Sequence, residues 1–144
     1  MTRIALAADQ LASLTRHARL AYPEEGCGIL LGRATAEAAA AVVEELVLAD
    51  NERADSRHNR YVIAPQTVLA AHRKAREGGL DVVGYFHSHP DCPAVPSDFD
   101  REHAWPGLSY VIVSVCAGDV AEVRSWRLAD DRERFHEETL ETLR

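Results

Sequence analysis

The residues best suited to chemistry lie in Gly84-Tyr85-Phe86-His87-Ser88-His89-Pro90 and the stretch that follows it, Asp91-Cys92-Pro93-Ala94-Val95-Pro96-Ser97-Asp98-Phe99-Asp100. His87 and His89 stand two positions apart at the end of an apolar, β-rich run. In a strand that spacing sends both imidazoles to the same side, which suits two nitrogen ligands of one metal ion. Pro90, Pro93 and Pro96 stiffen the loop leading to Asp98 and Asp100, either of which can bring a carboxylate. Two histidines and one carboxylate, with a fourth position left to water, form the ligand set of a catalytic zinc site. Ser97-Asp98-Phe99-Asp100 also reads as a helix N-terminus, with Ser97 as cap and an acid three residues on. The two readings are compatible.

These residues need a scaffold, and the sequence outlines one. Ile4 to Leu6 is a short apolar run expected as an edge strand. From Asp9, a fair N-cap, Leu11, Leu14, Ala18 and Ala21 mark one stripe of a helix that Pro23 ends. Glu24 to Gly32 reads as a strand punctuated by glycines, and a further strand is expected to begin near Ala38. Asn51 to Arg60 is polar and forms the long loop, and Arg57-His58-Asn59-Arg60-Tyr61 leads into a short strand that ends at Pro65. Pro65 to Glu77 is a second helix, with Val68, Leu69, His72 and Ala75 as its stripe and Gly78-Gly79 as its stop. Leu80 to Phe86 and Tyr110 to Cys116 are buried strands. A turn at Gly118-Asp119 leads into Val120 to Leu128 as hairpin partner, and Ser97 to Ala104 is a short third helix. The tail from Arg132 to Arg144 reads equally as strand or helix. The order is mixed α and β around one sheet, in a single domain spanning 1–144.

Composition narrows the function. With 144 residues, 16 Lys+Arg against 23 Asp+Glu and a net charge of −7, the chain lacks the clustered cations that nucleic-acid backbones require. Arg73-Lys74-Ala75-Arg76, the longest basic run, reads as a solvated helix face. No stretch approaches the roughly 20 apolar residues of a membrane span, and the N-terminus is not built as a signal peptide. A cytoplasmic protein with no nucleic-acid or membrane partner is expected. Cys27, Cys92 and Cys116 are too few and scattered for a disulfide framework or a paired-cysteine zinc site, although a Cys27–Cys92 bridge stays open. His136-Glu137-Glu138-Thr139-Leu140 stops one histidine short of a helical zinc motif. His17 reads as a packing or surface residue. His58 and His72 have no evident partners, and His103 is placed to support Asp100.

The pattern His87-Ser88-His89, then Ser97 and Asp100, resembles the His-[Ser/Thr]-His…Ser-x-x-Asp signature of the MPN+/JAMM (JAB-domain) zinc metalloproteases. Upstream, Pro23-Glu24-Glu25-Gly26-Cys27-Gly28-Ile29-Leu30-Leu31-Gly32 is similar to the Pro-x-Glu-x-Cys-Gly-x-Leu-x-Gly of the compact prokaryotic branch, and the likeness runs from the first helix to about Leu128. It implies an α/β/α fold: a curved, mostly antiparallel sheet flanked by helices, with the zinc at its edge. It implies one Zn²⁺ per chain held by His87, His89 and Asp100, with Glu25 as general base and Ser97 as donor to the oxyanion. Under it, Asp100 is preferred to Asp98 by the Ser-x-x-Asp spacing. Glu25 is preferred to Glu24, which alternation should turn the other way, and Cys27 is packing.

The substrate implied is a ubiquitin-like sulfur-carrier protein, cleaved at a peptide or isopeptide bond following its C-terminal Gly-Gly. The long insertions of relatives that act on ubiquitin chains have no counterpart here. A non-catalytic binding scaffold and a deubiquitinase are the competing expectations.

Overall fold

The computed structural model describes residues 2–35 and 39–143. Seven strands and three helices lie among them: β1 (Arg3–Ala7), α1 (Ala8–Ala21), β2 (Cys27–Ala34), β3 (Ala40–Ala49), α2 (Pro65–Glu77), β4 (Asp81–Pro90), α3 (Asp98–His103), β5 (Ser109–Cys116), β6 (Asp119–Leu128) and β7 (Phe135–Leu143). The strands run in the order β1-β3-β2-β4-β5-β6-β7, and a parallel pairing of β1 with β7 closes the sheet into a barrel. Four of the seven pairings are antiparallel (β2–β3, β2–β4, β5–β6, β6–β7), while β4–β5, β1–β3 and β1–β7 are parallel. The mixed, curved sheet flanked by helices agrees with expectation, but closure leaves no edge. β1, expected as an edge strand, sits between β3 and β7, with Ile4, Ala5 and Leu6 buried.

Strand alternation sorts the core. Leu30 of β2 joins Phe86 of β4, Val111, Val113 and Val115 of β5 and Ile4 and Leu6 of β1 in a cluster that receives Leu14 and Ala18 from α1. Ile29 and Leu31, pointing the other way, pack under Ala71 and Ala75 of α2. The apolar face of α2 is therefore Val68, Ala71 and Ala75, while Leu69 and His72, expected on that stripe, are exposed. Gly28 is required where it stands, since a Cβ there would fall inside the Phe86 ring.

Local chemistry explains the other departures. α1 begins at Ala8, not at a cap on Asp9, because the Gln10 Oε1 reaches back to accept from the Ala7 N–H (2.9 Å). The Gln10 amide also donates to the Val43 and Glu44 carbonyls of β3 (3.2 and 3.1 Å), tying the helix start to the sheet. The hairpin after β5 turns on Ala117 and Gly118, both at positive φ (51° and 89°), so Asp119 opens β6 by pairing with Cys116. The expected start of β3 near Ala38 lies outside the described residues, and the described strand opens at Ala40. The segment from Arg57 to Ala64 forms no strand. Its backbone groups go instead to scattered partners: Asn51 Oδ1 accepts from the Val62 N–H (3.1 Å), the Asn51 amide donates to the Arg60 carbonyl (3.0 Å), and the Val62 and Arg57 carbonyls accept from the Glu52 and Glu25 N–H groups (2.8 and 2.6 Å). The undecided tail is the strand β7. The three cysteines are free thiols, so no Cys27–Cys92 bridge forms.

Candidate active site

His87 and His89 leave the same side of β4, as their spacing requires. His87 pairs with Cys27 across β2, on the face that also carries Ile29. Ser88, between them, points to the opposite face and is fully buried. Its Oγ accepts from the Gly26 N–H (2.7 Å) and its N–H donates to the Gly26 carbonyl (3.0 Å). This reciprocal pair locks the residue after Glu25 to the residue between the histidines.

The loop from Asp91 to Ser97 is held by more than its prolines. Asp91 accepts from the Tyr22 hydroxyl (2.8 Å) and the Ala117 N–H (2.8 Å). Ser114 Oγ donates to the Cys92 carbonyl (2.6 Å), and the Trp126 indole N–H donates to the Ala94 carbonyl (2.9 Å). From this fixed start α3 begins with a capping box: Ser97 Oγ accepts from the Asp100 N–H (3.0 Å), and Asp100 Oδ2 accepts from the Ser97 N–H (2.9 Å). From the other side, the Arg53 and Arg60 guanidiniums lie over the Phe99 ring (5.4 and 4.6 Å to its centroid). The cap and the candidate ligand are thus the same carboxylate.

Three donor atoms meet. His87 Nε2 and His89 Nε2 are 3.1 Å apart, and Asp100 Oδ2 is 3.2 Å from the first and 3.1 Å from the second. A tetrahedral ion with bonds of about 2.0–2.1 Å needs ligand atoms roughly 3.3–3.4 Å apart, so the triangle is within about 0.3 Å of that requirement. His89 is oriented by its other nitrogen. Nδ1 lies 2.9 Å from the Pro93 carbonyl, which only accepts, so Nδ1 donates that bond and Nε2 is the nitrogen turned toward His87 and Asp100. His87 is oriented differently: Tyr61 stacks on its ring (4.7 Å between centroids, 22° between planes), and its Nδ1 is buried with no hydrogen-bond partner among the described residues. Burial works to raise the Asp100 carboxyl, but His87, His89 and the Ser97 N–H outweigh it and hold the group well below the usual carboxylate range. For His87, burial favours the neutral ring, and Asp100 and Glu25 more than offset it, raising its pKa.

Glu25 is 3% exposed, whereas Glu24 faces solvent; both precede β2, which opens at Cys27 and not at Glu24 as expected, so the turn after Pro23 and not strand alternation sets their directions. The Glu25 Oε1 has no hydrogen-bond partner among the described residues. Burial pushes the Glu25 carboxyl up to about 7, against the opposing pull of His87 and His89. Its backbone is clamped, with the N–H donating to the Arg57 carbonyl (2.6 Å) and the carbonyl accepting from Asn51 (3.1 Å). Asp98 is exposed and lies outside the three-residue group. Cys27 is buried, and burial, followed by the charges of Glu25, Asp50 and Glu52, pushes its thiol up to about 12, a poor nucleophile. His17 donates to or accepts from no ligand group; its Nε2 sits 2.9 Å from the Ala49 carbonyl. His103 bonds the Phe99 carbonyl through Nδ1 (2.9 Å) and packs on the Phe99 ring, one step from Asp100. Sequence reasoning missed Tyr61 and Asn51, because their partners lie 26 residues away in each case, His87 from Tyr61 and Glu25 from Asn51.

Two histidines and an aspartate whose donor atoms could hold a metal ion lie on a closed α/β sheet, beside a buried carboxyl, an arrangement suited to metal-assisted hydrolysis. Comparison with known proteins carries this to a family. Residues 7–129 match the family described as prokaryotic homologs of the JAB domain. The chain is 36% identical over 118 residues to a desampylase of Haloferax volcanii, covering 78% of this chain and 81% of that one. It is 28% identical over 128 residues to the CysO-cysteine peptidase of Mycobacterium tuberculosis, covering 88% and 84%. Among solved structures, a protein from Desulfitobacterium hafniense superposes with a TM-score of 0.82 at 32% identity, covering 97% of this chain and 92% of that one. The chain belongs to the prokaryotic JAB-domain family of JAMM-type hydrolases.

Proposed function

We propose that the protein is a zinc-dependent peptidase or isopeptidase that cleaves the bond following the C-terminal Gly-Gly of a ubiquitin-like sulfur-carrier protein. It works in the cytoplasm, with residues 1–144 acting as one domain. The observation that carries this reading is the triangle of His87, His89 and Asp100 donor atoms beside the unpartnered, buried carboxylate oxygen of Glu25. The names of the relatives, a desampylase and a CysO-cysteine peptidase, support a ubiquitin-like substrate.

His87 Nε2, His89 Nε2 and Asp100 Oδ2 would hold one Zn²⁺. Bound there, zinc supplies Lewis acidity and lowers the pKa of a coordinated water from about 15.7 to about 7. Glu25, poised near neutrality, takes the proton from the attacking water and delivers it to the departing amine nitrogen as the C–N bond breaks. Ser97 keeps both its tasks: a lone pair on Oγ accepts from the Asp100 N–H, and the hydroxyl proton stays free to donate to the substrate's carbonyl oxygen as charge develops. Helix capping therefore fixes the donor in place.

The test is intact-mass spectrometry of candidate sulfur-carrier conjugates before and after incubation with zinc-loaded protein, with a chelator control. Release of the carrier ending in Gly-Gly, abolished by chelator and by Glu25→Gln with its metal content unchanged, is the expected outcome. Stoichiometric binding of the conjugate without product would replace this reading with that of a binding scaffold.

A further inference from the structure

The donor triangle sits between two depressions of different character. On the Glu25 side, a groove is lined by Glu25, Asn59, His89, Pro93 and Ser97. On the other side, His87 and Asp100 form the inner wall of a cleft of about 240 Å³ whose remaining walls include Tyr61, Tyr85, Trp105, Tyr110, Val68 and Phe135.

The aromatic walls are built in advance. Tyr61 is stacked on His87, Tyr85 on Tyr110 (6.0 Å, 17°), and Tyr110 meets the Phe135 ring edge-on (5.9 Å, 79°). The Tyr110 hydroxyl accepts from the Trp105 N–H (2.9 Å), which holds the mouth of the cleft, where the Trp105 side chain is 65% exposed. Such a rigid apolar pocket touching the reacting centre is a specificity pocket by construction. At about 30 Å³ per water, its volume equals roughly eight waters, enough for one large side chain.

Under the proposed function, on which this inference rests, the acyl side of the scissile bond is Gly-Gly and has no side chain to place there. We infer that the cleft is the pocket for the side chain of the residue on the leaving-amine side, and that it selects a large apolar residue such as Phe or Leu over Gly or Asp. An acidic occupant would give up hydration against these mostly apolar walls, which outnumber the polar groups Arg53 and His103 that also line the cleft. Val68 and Trp105, which line the cleft without belonging to the donor triangle, are the specificity-determining residues.

The experiment uses full-length zinc-loaded protein and a ubiquitin-fold carrier ending Gly-Gly-X, with X as Gly, Asp, Leu or Phe. Filling or leaving empty a hydrophobic pocket changes kcat/KM by roughly 10–200-fold per group, so Phe and Leu should exceed Gly and Asp by at least about tenfold. Val68→Phe should bring that ratio close to one by slowing Gly-Gly-Phe more than Gly-Gly-Gly. Should Val68→Phe fail to fold, Trp105→Ala, at an exposed position, should lower the same ratio. A ratio within about threefold across all X, or one that these variants leave unchanged, overturns the inference while leaving the proposed function intact. If no carrier is cleaved at all, the proposed function fails, and a separate titration judges the cleft. Phenylalaninamide, but not glycinamide, should shift the NMR ring signals of Tyr61, Tyr85 and Tyr110 in metal-free protein, and no shift would overturn the assignment.

Discussion

Glu25→Gln replaces a buried carboxyl by an amide of the same shape, and its effect on metal-free stability is fixed by where the group titrates. Burial raises the folded-state pKa from the ordinary 4.5 to about 7. Below about pH 4.5 the carboxyl is protonated whether the chain is folded or not, and contributes no pH-dependent term. Between 4.5 and 7 the unfolded chain releases its proton while the folded one keeps it, so wild-type stability falls as pH rises. Above about 7 the full cost of burying the charge is present. At 1.36 kcal/mol per pH unit, that interval amounts to about 3 kcal/mol. For a domain of 144 residues, each kcal/mol moves the melting temperature by roughly 3–4 °C. The amide has its own desolvation cost, but that cost does not depend on pH and cancels when two pH values are compared. Thermal unfolding of both proteins in chelator, from pH 4 to pH 8, should show the variant gaining roughly 10 °C relative to wild type across the range. Parallel curves, or a variant that loses ground as pH rises, would refute the assignment of Glu25 as a buried carboxyl held near neutrality.

Other consequences follow from the same contacts. Tyr61→Ala removes the ring that orients His87 and should weaken zinc binding about 10–100-fold in a chelator-competition titration, while Tyr61→Phe keeps it. Ser97→Ala should cost about 1 kcal/mol of metal-free stability through the lost cap, measured by urea unfolding, and about 10²–10³-fold in kcat through the lost donor. Ser97→Thr should restore the first. Gly28→Ala drives a methyl into the Phe86 ring and should destabilise by about 1–3 kcal/mol in the same unfolding assay, because backbone and ring must shift together.

How much of this the sequence discloses depends on the range of the interaction. His87 and His89 share a face because strand periodicity is local, and the Ser97–Asp100 box is written within four residues. α2 spans Pro65–Glu77 as its proline and glycines indicate. Its stripe was harder to read: Leu69 and His72 fit the helical period about as well as Ala71, and only the position of β2 and β4 selects Val68, Ala71 and Ala75. Barrel closure is invisible locally, since β1 and β7 pair across 136 residues, as in Arg3 with Thr139. The segment from Arg57 to Ala64 carries strand-like residues, yet its hydrogen bonds go to the Asn51 side chain and to the Glu25 and Glu52 N–H groups, and not to one strand partner. Tyr61 reads as an unremarkable aromatic until the fold lays it on His87.

The account stands on His87, His89 and Asp100 gathering one divalent ion. Zinc-edge X-ray absorption on protein loaded with zinc, with the metal content measured alongside, examines that most directly. One zinc per chain in a shell of nitrogen and oxygen at about 2.0–2.1 Å, lost in His87→Ala, is the predicted spectrum. A sulfur shell near 2.3 Å, pointing to Cys92 or Cys27 as ligand, or zinc retained in full by His87→Ala, would contradict it.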